Sequence, residues 1–201
     1  MTDITKIINE IVRVEIPPKY IKGVENWAAG NNFNYSDSKQ SNTTKNKTDH
    51  IIGKIGEVAV AIVYISRGIK VIGPNLNNYG SWNSDLIIGG TGVGVKTQEL
   101  DSANKYGTSW TFQLASDGHN RHDPVLDNPN AYVTFVKYDQ KKALCWVYPI
   151  YQIKDLKFDK PRLEYLEPYK TMVYENTLPN IDLIKPQTKP RDSHEGQYRL
   201  F

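Results

Sequence analysis

Residues 84–98, SDLIIGGTGVGVKTQ, decide how the middle of this chain is expected to fold. Two apolar runs flank a glycine-rich turn, which is typical of two antiparallel strands joined as a hairpin. Asp85 begins the first run, and Lys96 lies inside the second. Because a charge in a buried strand needs a partner, these two residues are candidates for a polar site.

Side-chain alternation predicts which residues of the hairpin share a face. Gly94, Lys96 and Gln98 are expected on one face of the second strand, with Val95 on the other. Pairing around the glycine turn would bring Asp85 and Lys96 to one face, near one end of the sheet. The alternative interpretation makes Asp85 a turn residue and Lys96 an edge lysine whose ammonium reaches solvent.

A helix is predicted over residues 51–67, with Thr48 and Asp49 at its start and Gly68 after its end. The segment is apolar almost all round, so we expect it to pack against a sheet. Its single acid is Glu57.

The surroundings of Glu57 allow two interpretations. A buried carboxylate needs a cation, a metal or a proton, which favours a functional site. Gly53 and Gly56 lack side chains beside it and would let the helix approach a sheet closely. Alternatively, Glu57 faces solvent or pairs with Lys54.

The remaining pattern predicts an α/β domain with a mixed sheet. We expect a helical appendage and polar linker over 1–49, an α/β core over 50–155 and an irregular extension over 156–201. Apolar spacing predicts helices and strands over the following ranges: helices over 4–14 and 19–29, and strands over 69–75, 131–139 and 142–150. Residues 31–49 are almost wholly polar and are predicted to form a loop.

Composition limits the class of protein. The 201 residues carry a formal net charge of +3, so charge alone neither requires nor excludes nucleic acid. Cys145 is the single cysteine, which excludes an intramolecular disulfide and a cysteine-based zinc site. The longest apolar run, residues 58–65, is far shorter than the about 20 residues of a membrane-spanning helix. We therefore expect a cytoplasmic protein without a membrane partner.

The arrangement GKIGE, then SDLII, then VKTQ resembles the PD-(D/E)XK nuclease superfamily, the restriction-endonuclease-like fold. In that family a helical glutamate, an aspartate at a strand start and an acid-x-lysine motif on the next strand build the active site. By this resemblance Glu57, Asp85 and Lys96 are the implied catalytic residues. The resemblance covers roughly residues 50–100 and implies a mixed central sheet flanked by helices.

The sequence departs from the family pattern at two positions. The second acid of the motif should fall at position 94, which is Gly94, and Ser84 rather than a proline precedes Asp85. The site is therefore either weakened or a relic.

The resemblance also implies a metal. Magnesium prefers six oxygen ligands, and Mn²⁺ is expected to substitute for it. Glu57 and Asp85 would hold one ion together with the backbone carbonyl of Val95, and Gln98 would add a neutral oxygen. Lys96 would then orient the attacking water and stabilise charge that develops on the phosphate.

Several residues beyond the hairpin are candidates for contact with nucleic acid, since polar and aromatic side chains interleave there. Trp110 and Phe112 are instead expected in the core. A His-Asn-His nuclease motif in SDGHNRHD (116–123) is the less favoured reading of that stretch, because it lacks a flanking hairpin and helix. The candidate nucleic-acid contacts are Lys105, Tyr106, Ser109, Gln113, His119 and His122.

The function expected from this sequence is that of a magnesium-dependent endodeoxyribonuclease from a restriction, mobile-element or phage setting. A homodimer is expected because two-fold symmetry matches duplex DNA. Gly94 favours a rival, a catalytically inactive nuclease-fold module that binds DNA. A third possibility, a protein-interaction domain, would leave Glu57 and Asp85 far apart.

Overall fold

The computed structural model describes residues 3–31, 43–74, 85–114 and 122–180. Six of its strands form one mixed sheet in the order β1-β7-β6-β4-β3-β2, and β5 and β8 form a separate antiparallel pair. The strands are β1 (Val12–Glu15), β2 (Val71–Ile72), β3 (Leu86–Ile88), β4 (Thr91–Glu99), β5 (Ser109–Gln113), β6 (Tyr132–Asp139), β7 (Leu144–Gln152) and β8 (Lys170–Tyr174). The helices are α1 (Pro18–Ala29), α2 (Thr43–Ser66) and α3 (Leu100–Tyr106). The predicted α/β class with a mixed sheet is confirmed.

The glycine-linked hairpin predicted for the middle of the chain is confirmed as β3 and β4. Leu86 pairs with Val93 and Ile88 with Thr91. Gly89 and Gly90 form the turn with φ angles of 57° and 89°, a region that glycine enters without steric cost. After α3 and β5 the chain returns as β6, which pairs parallel with β4 and makes the sheet mixed.

Helices cover one face of the six-stranded sheet. The face of β4 that carries Val93 and Val95 packs in one core with α1 and α2. The opposite face packs against the β5–β8 pair, where the Trp110 ring stacks on Phe135 at 4.5 Å between centroids. Trp110 and Phe112 are both buried, so their predicted core placement is confirmed.

The predicted helix over residues 4–14 is wrong. The chain forms a 3-10 turn at Ile4–Lys6, and residues 12–15 form β1. Val12 and Val14 lie opposite β7, where β-branched side chains fit a pleated surface. Ile4, Ile8 and Ile11 are buried as the helical spacing suggested, but Ile8 and Ile11 reach the core from irregular backbone. The helix predicted over 19–29 is confirmed as α1.

The predicted polar loop over 31–49 is wrong for its last residues, because α2 begins at Thr43. The first two turns of α2 are mainly polar and exposed, so they carry no apolar periodicity. The domain boundary expected at residue 50 falls inside α2, and β8 lies within the extension expected to be irregular. Within the described part of the strand expected over 69–75, only β2 forms, and residue 75 lies outside the described residues.

No helix within the described ranges is long and apolar enough to cross a membrane.

Candidate functional site

Glu57 lies on α2 where that helix runs closest to β4. A Cβ added at Gly56 would lie 1.8 Å from Thr97 Oγ1, so the close approach requires glycine there. A Cβ added at Gly53 would meet nothing within 4 Å. The expected role in helix–sheet approach is therefore confirmed for Gly56 and wrong for Gly53, which faces open space.

The Glu57 carboxylate is buried, with 6% of the residue exposed. Lys54 Nζ donates to Glu57 Oε2 at 2.8 Å and lies 5.7 Å from the Trp27 ring. Burial, together with the charge of Asp85, raises the pKa of Glu57 to about 8 against the opposing effect of Lys54. The expected pairing with Lys54 is confirmed, and Glu57 does not face solvent. A carboxyl group that is buried beside a second carboxylate is stabilised when it binds a proton or a cation.

Asp85 is exposed and immediately precedes β3. Its Oδ2 accepts a hydrogen bond of 2.7 Å from the Val95 N–H, on the part of β4 that extends past the end of β3. The hairpin register continues to place Asp85 opposite Gly94, hence on the face that carries Lys96. The predicted shared face is confirmed.

The open edge of β4 is therefore polar. The N–H and C=O of a strand residue point to the same side, so the Val95 carbonyl lies on the edge that Asp85 occupies. A side chain at position 94 would begin beside the same carboxylate, since its Cβ would lie 4.0 Å from Asp85 Oδ2.

Lys96 is held by a residue that sequence reasoning did not place in the site. Lys96 Nζ donates to both oxygens of Asp123, at 2.8 and 2.7 Å, and lies 4.9 Å from the Phe112 ring. The Gln113 N–H also donates to Asp123, at 3.0 Å. Twenty-seven residues separate Lys96 from Asp123, and no local spacing signals the pair.

Gln98 and Ser109, two further predicted site residues, contact each other rather than an open surface. The Gln98 amide is engaged by backbone, since its oxygen accepts from the Ser109 N–H at 2.9 Å and its nitrogen donates to the Gly107 carbonyl at 3.2 Å. Ser109 itself is buried, so the structure does not present it as a surface contact for nucleic acid. Gln98 thus ties β5 to β4.

Two of the predicted nucleic-acid contacts lie on the surface. Lys105 and Tyr106 are exposed, with the ammonium 4.9 Å from the ring. His122 pairs with Asp127 at 2.7 Å. His119 lies outside the described residues.

The candidate metal ligands come from two elements, α2 and the β3–β4 hairpin. Among the described residues, no three His, Cys, Asp or Glu side chains gather as a metal site. The charge of the exposed Asp85 nevertheless acts on the buried Glu57, and Asp85 itself accepts a hydrogen bond from the Val95 N–H. If Glu57, Asp85 and the Val95 carbonyl held one Mg²⁺, its remaining positions would be open to water and phosphate oxygens.

A wide cleft of about 1020 Å³ lies elsewhere, between the 3-10 turn and β7. None of the predicted site residues lines it. Comparison of the chain with protein-family models, curated proteins and solved structures finds no match.

Proposed function

We propose that the chain is a metal-dependent endonuclease of restriction-endonuclease-like architecture that hydrolyses DNA phosphodiester bonds. The observation that carries this proposal is the buried Glu57 carboxyl, which interacts with the carboxylate of Asp85 at the open edge of β4. Burying an acid beside a second acid is unfavourable for folding; Lys54 offsets part of this cost, and a bound cation would offset more of it. Lys96 lies on the adjoining strand, on the face of Asp85.

Each side chain has a distinct role in this proposal. Glu57 and Asp85 would hold Mg²⁺, or Mn²⁺ in its place, with the Val95 carbonyl. The cation supplies Lewis-acid activation of the phosphodiester and of the attacking water. Lys96 orients that water and stabilises negative charge that develops on the phosphate, for which a compact ammonium is suited.

Asp123 is a positioning residue in this scheme. Its two oxygens hold the Lys96 ammonium between β4 and β5, and the Gln113 N–H fixes the carboxylate in turn. The ammonium is therefore oriented by partners on two elements before any substrate binds.

The decisive experiment measures plasmid nicking with Mg²⁺ or Mn²⁺ by the wild-type chain and by Asp85→Asn. Asparagine can still accept the Val95 N–H bond, so the variant should fold while losing a charged metal ligand. Asp101→Asn is the matched control, because Asp101 pairs with Lys141 on the surface. We expect cleavage by the wild type and the control, and loss of at least about a hundredfold in Asp85→Asn. Equal cleavage by all three would point to a contaminating nuclease and overturn the proposal.

A second candidate is an inactive DNA-binding module that keeps this architecture. Gly94 favours it, since no acid occupies the position two residues before Lys96. DNA binding without cleavage in either metal would support this module. A homodimer and a cytoplasmic location remain predictions of both proposals.

A further inference from the structure

Lys170 begins β8 beside the Lys96–Asp123 pair. In the β5–β8 ladder Lys170 lies opposite Gln113, the residue whose N–H binds Asp123. Asp123 in turn holds Lys96. A chain of direct contacts therefore connects the start of β8 to the proposed catalytic lysine.

Lys170 is half-buried among other charges. Burial lowers the pKa of Lys170, and the positive charges of Lys45 and Lys96 lower it further, with Asp49 opposing. Burial also raises the pKa of Asp49, against the charges of Lys45 and Lys170. The ammonium groups of Lys45 on α2 and Lys96 on β4 thus both act on the half-buried ammonium of Lys170 on β8. An anion bound among them would relieve that repulsion.

The surface of α2 leads from these lysines toward Glu57. Lys45, Asp49, Gly53 and Glu57 follow one another at intervals of four residues, so they form a stripe along one side of the helix. The stripe spans about 18 Å between its first and last Cα atoms, at 1.5 Å per residue. At its middle, Gly53 leaves open space where a side chain would otherwise project. A backbone from another molecule could approach the helix closely there.

We infer that Lys45, Lys96 and Lys170 form a binding site for a phosphodiester group of a nucleic-acid strand that runs along this stripe to Glu57. The three lysines come from three separate elements, and the strand would pass over Gly53. The inference rests on the proposed function for the identity of its ligand. It extends that function to Lys45 and Lys170, which lie outside the segment that resembles a nuclease motif.

The test measures binding of a fluorescently labelled DNA duplex by anisotropy, in EDTA, at several salt concentrations. The variants are Lys170→Gln and Lys45→Gln, with Lys170→Arg to retain the charge. The control is Lys160→Gln, since Lys160 pairs with Glu167 on the surface and its side chain is 79% exposed. Loss of one phosphate contact should weaken binding about eightfold at 0.1 M salt and lower the salt-dependence slope by about 0.9.

We expect this loss in Lys170→Gln and Lys45→Gln, near wild-type binding in Lys170→Arg, and no change in Lys160→Gln. Lys170→Gln should melt at or above the wild-type temperature, because it removes a crowded charge. Unchanged affinity and slope in both glutamine variants would overturn the inference even if the wild type cleaves DNA. Lysine-dependent binding without cleavage in Mg²⁺ would support the inference and count against the nuclease. A wild-type chain that does not bind DNA would overturn both.

Discussion

Gly94→Asp would place a carboxylate where the resembled family carries its second acid. The position is open to a side chain: an added Cβ would lie 3.8 Å from the Tyr132 carbonyl oxygen and 3.9 Å from Val133 Cγ2, ordinary contact distances. The φ angle of Gly94 lies outside the left-handed region, so backbone strain does not oppose the change. The charge of the new carboxylate should therefore determine how Gly94→Asp changes stability and metal affinity.

The magnitude follows from the 4.0 Å between the added Cβ and Asp85 Oδ2. Two carboxylates about 5 Å apart repel by about 3 kcal/mol at an effective dielectric constant of about 20. Because Asp85 is exposed, solvent reduces this to roughly 1 kcal/mol, or a fall in melting temperature of about 2–4 °C without metal. A divalent cation between the two groups reverses the sign, and we expect Mn²⁺ to bind at least about tenfold more tightly.

The assay combines calorimetric titration with Mn²⁺ and melting curves in EDTA and in Mn²⁺. Gly94→Asn is the matched control, because it has nearly the same shape without the charge. The reasoning would be refuted by a folded Gly94→Asp chain whose Mn²⁺ affinity and melting temperatures equal those of Gly94→Asn. That result would mean that position 94 does not face the metal.

Three other predictions follow from the same site. The pKa of Glu57 is raised from 4.5 to about 8 in the folded state. Between these two pH values the folded state keeps a proton that the unfolded state has lost. The free energy of unfolding should therefore fall by up to about 1.4 kcal/mol per pH unit as the pH rises across that window. Chemical denaturation from pH 4.5 to 9 should show this slope in the wild type and a flatter one in Glu57→Gln. Gly53→Ala should raise the free energy of unfolding by about 0.5–1 kcal/mol, because the new methyl group enters open space. Gly56→Ala should lower it by roughly 1–3 kcal/mol, because the methyl group would collide with Thr97. A lower melting temperature for Gly53→Ala would contradict the open space at that position. Asp123→Asn should lower kcat with little change in KM. Asp127→Asn is the exposed control and should cleave as the wild type does. Equal kcat in the two variants would show that Asp123 has no role in the proposed site.

The hairpin could be predicted from sequence because its information is local. Alternation over β4 and a two-glycine turn determine the register, and the register determines that Asp85 and Lys96 share a face. Glu57 could be found for a similar reason, since a single acid in an apolar helix stands out. The start of α2 could not be predicted, because its first turns are polar and carry no apolar residues at helical spacing.

β1 and Asp123 illustrate two other reasons for failure. The isoleucine spacing near the N-terminus fits a helix, but pairing with β7 is a long-range contact that local periodicity does not report. Asp123 reaches Lys96 because the chain returns beside β5, and the two acids in SDGHNRHD cannot be told apart for this contact without the tertiary fold.

The geometry of one strand explains why residues so distant in sequence meet. β3 begins at Leu86, opposite Val93, while β4 continues to Glu99, so part of β4 has an edge that β3 does not cover. The Asp85 side chain supplies the missing acceptor for the Val95 N–H at the first uncovered position, which keeps that edge from exposing an unpaired donor. α2 lies on one side of the edge with Glu57, and the β5–β8 pair lies on the other with Asp123 and Lys170. Carboxylates and ammonium groups from both layers therefore lie near the uncovered edge of β4, which is the arrangement that the proposed binding of a phosphate and its cation requires.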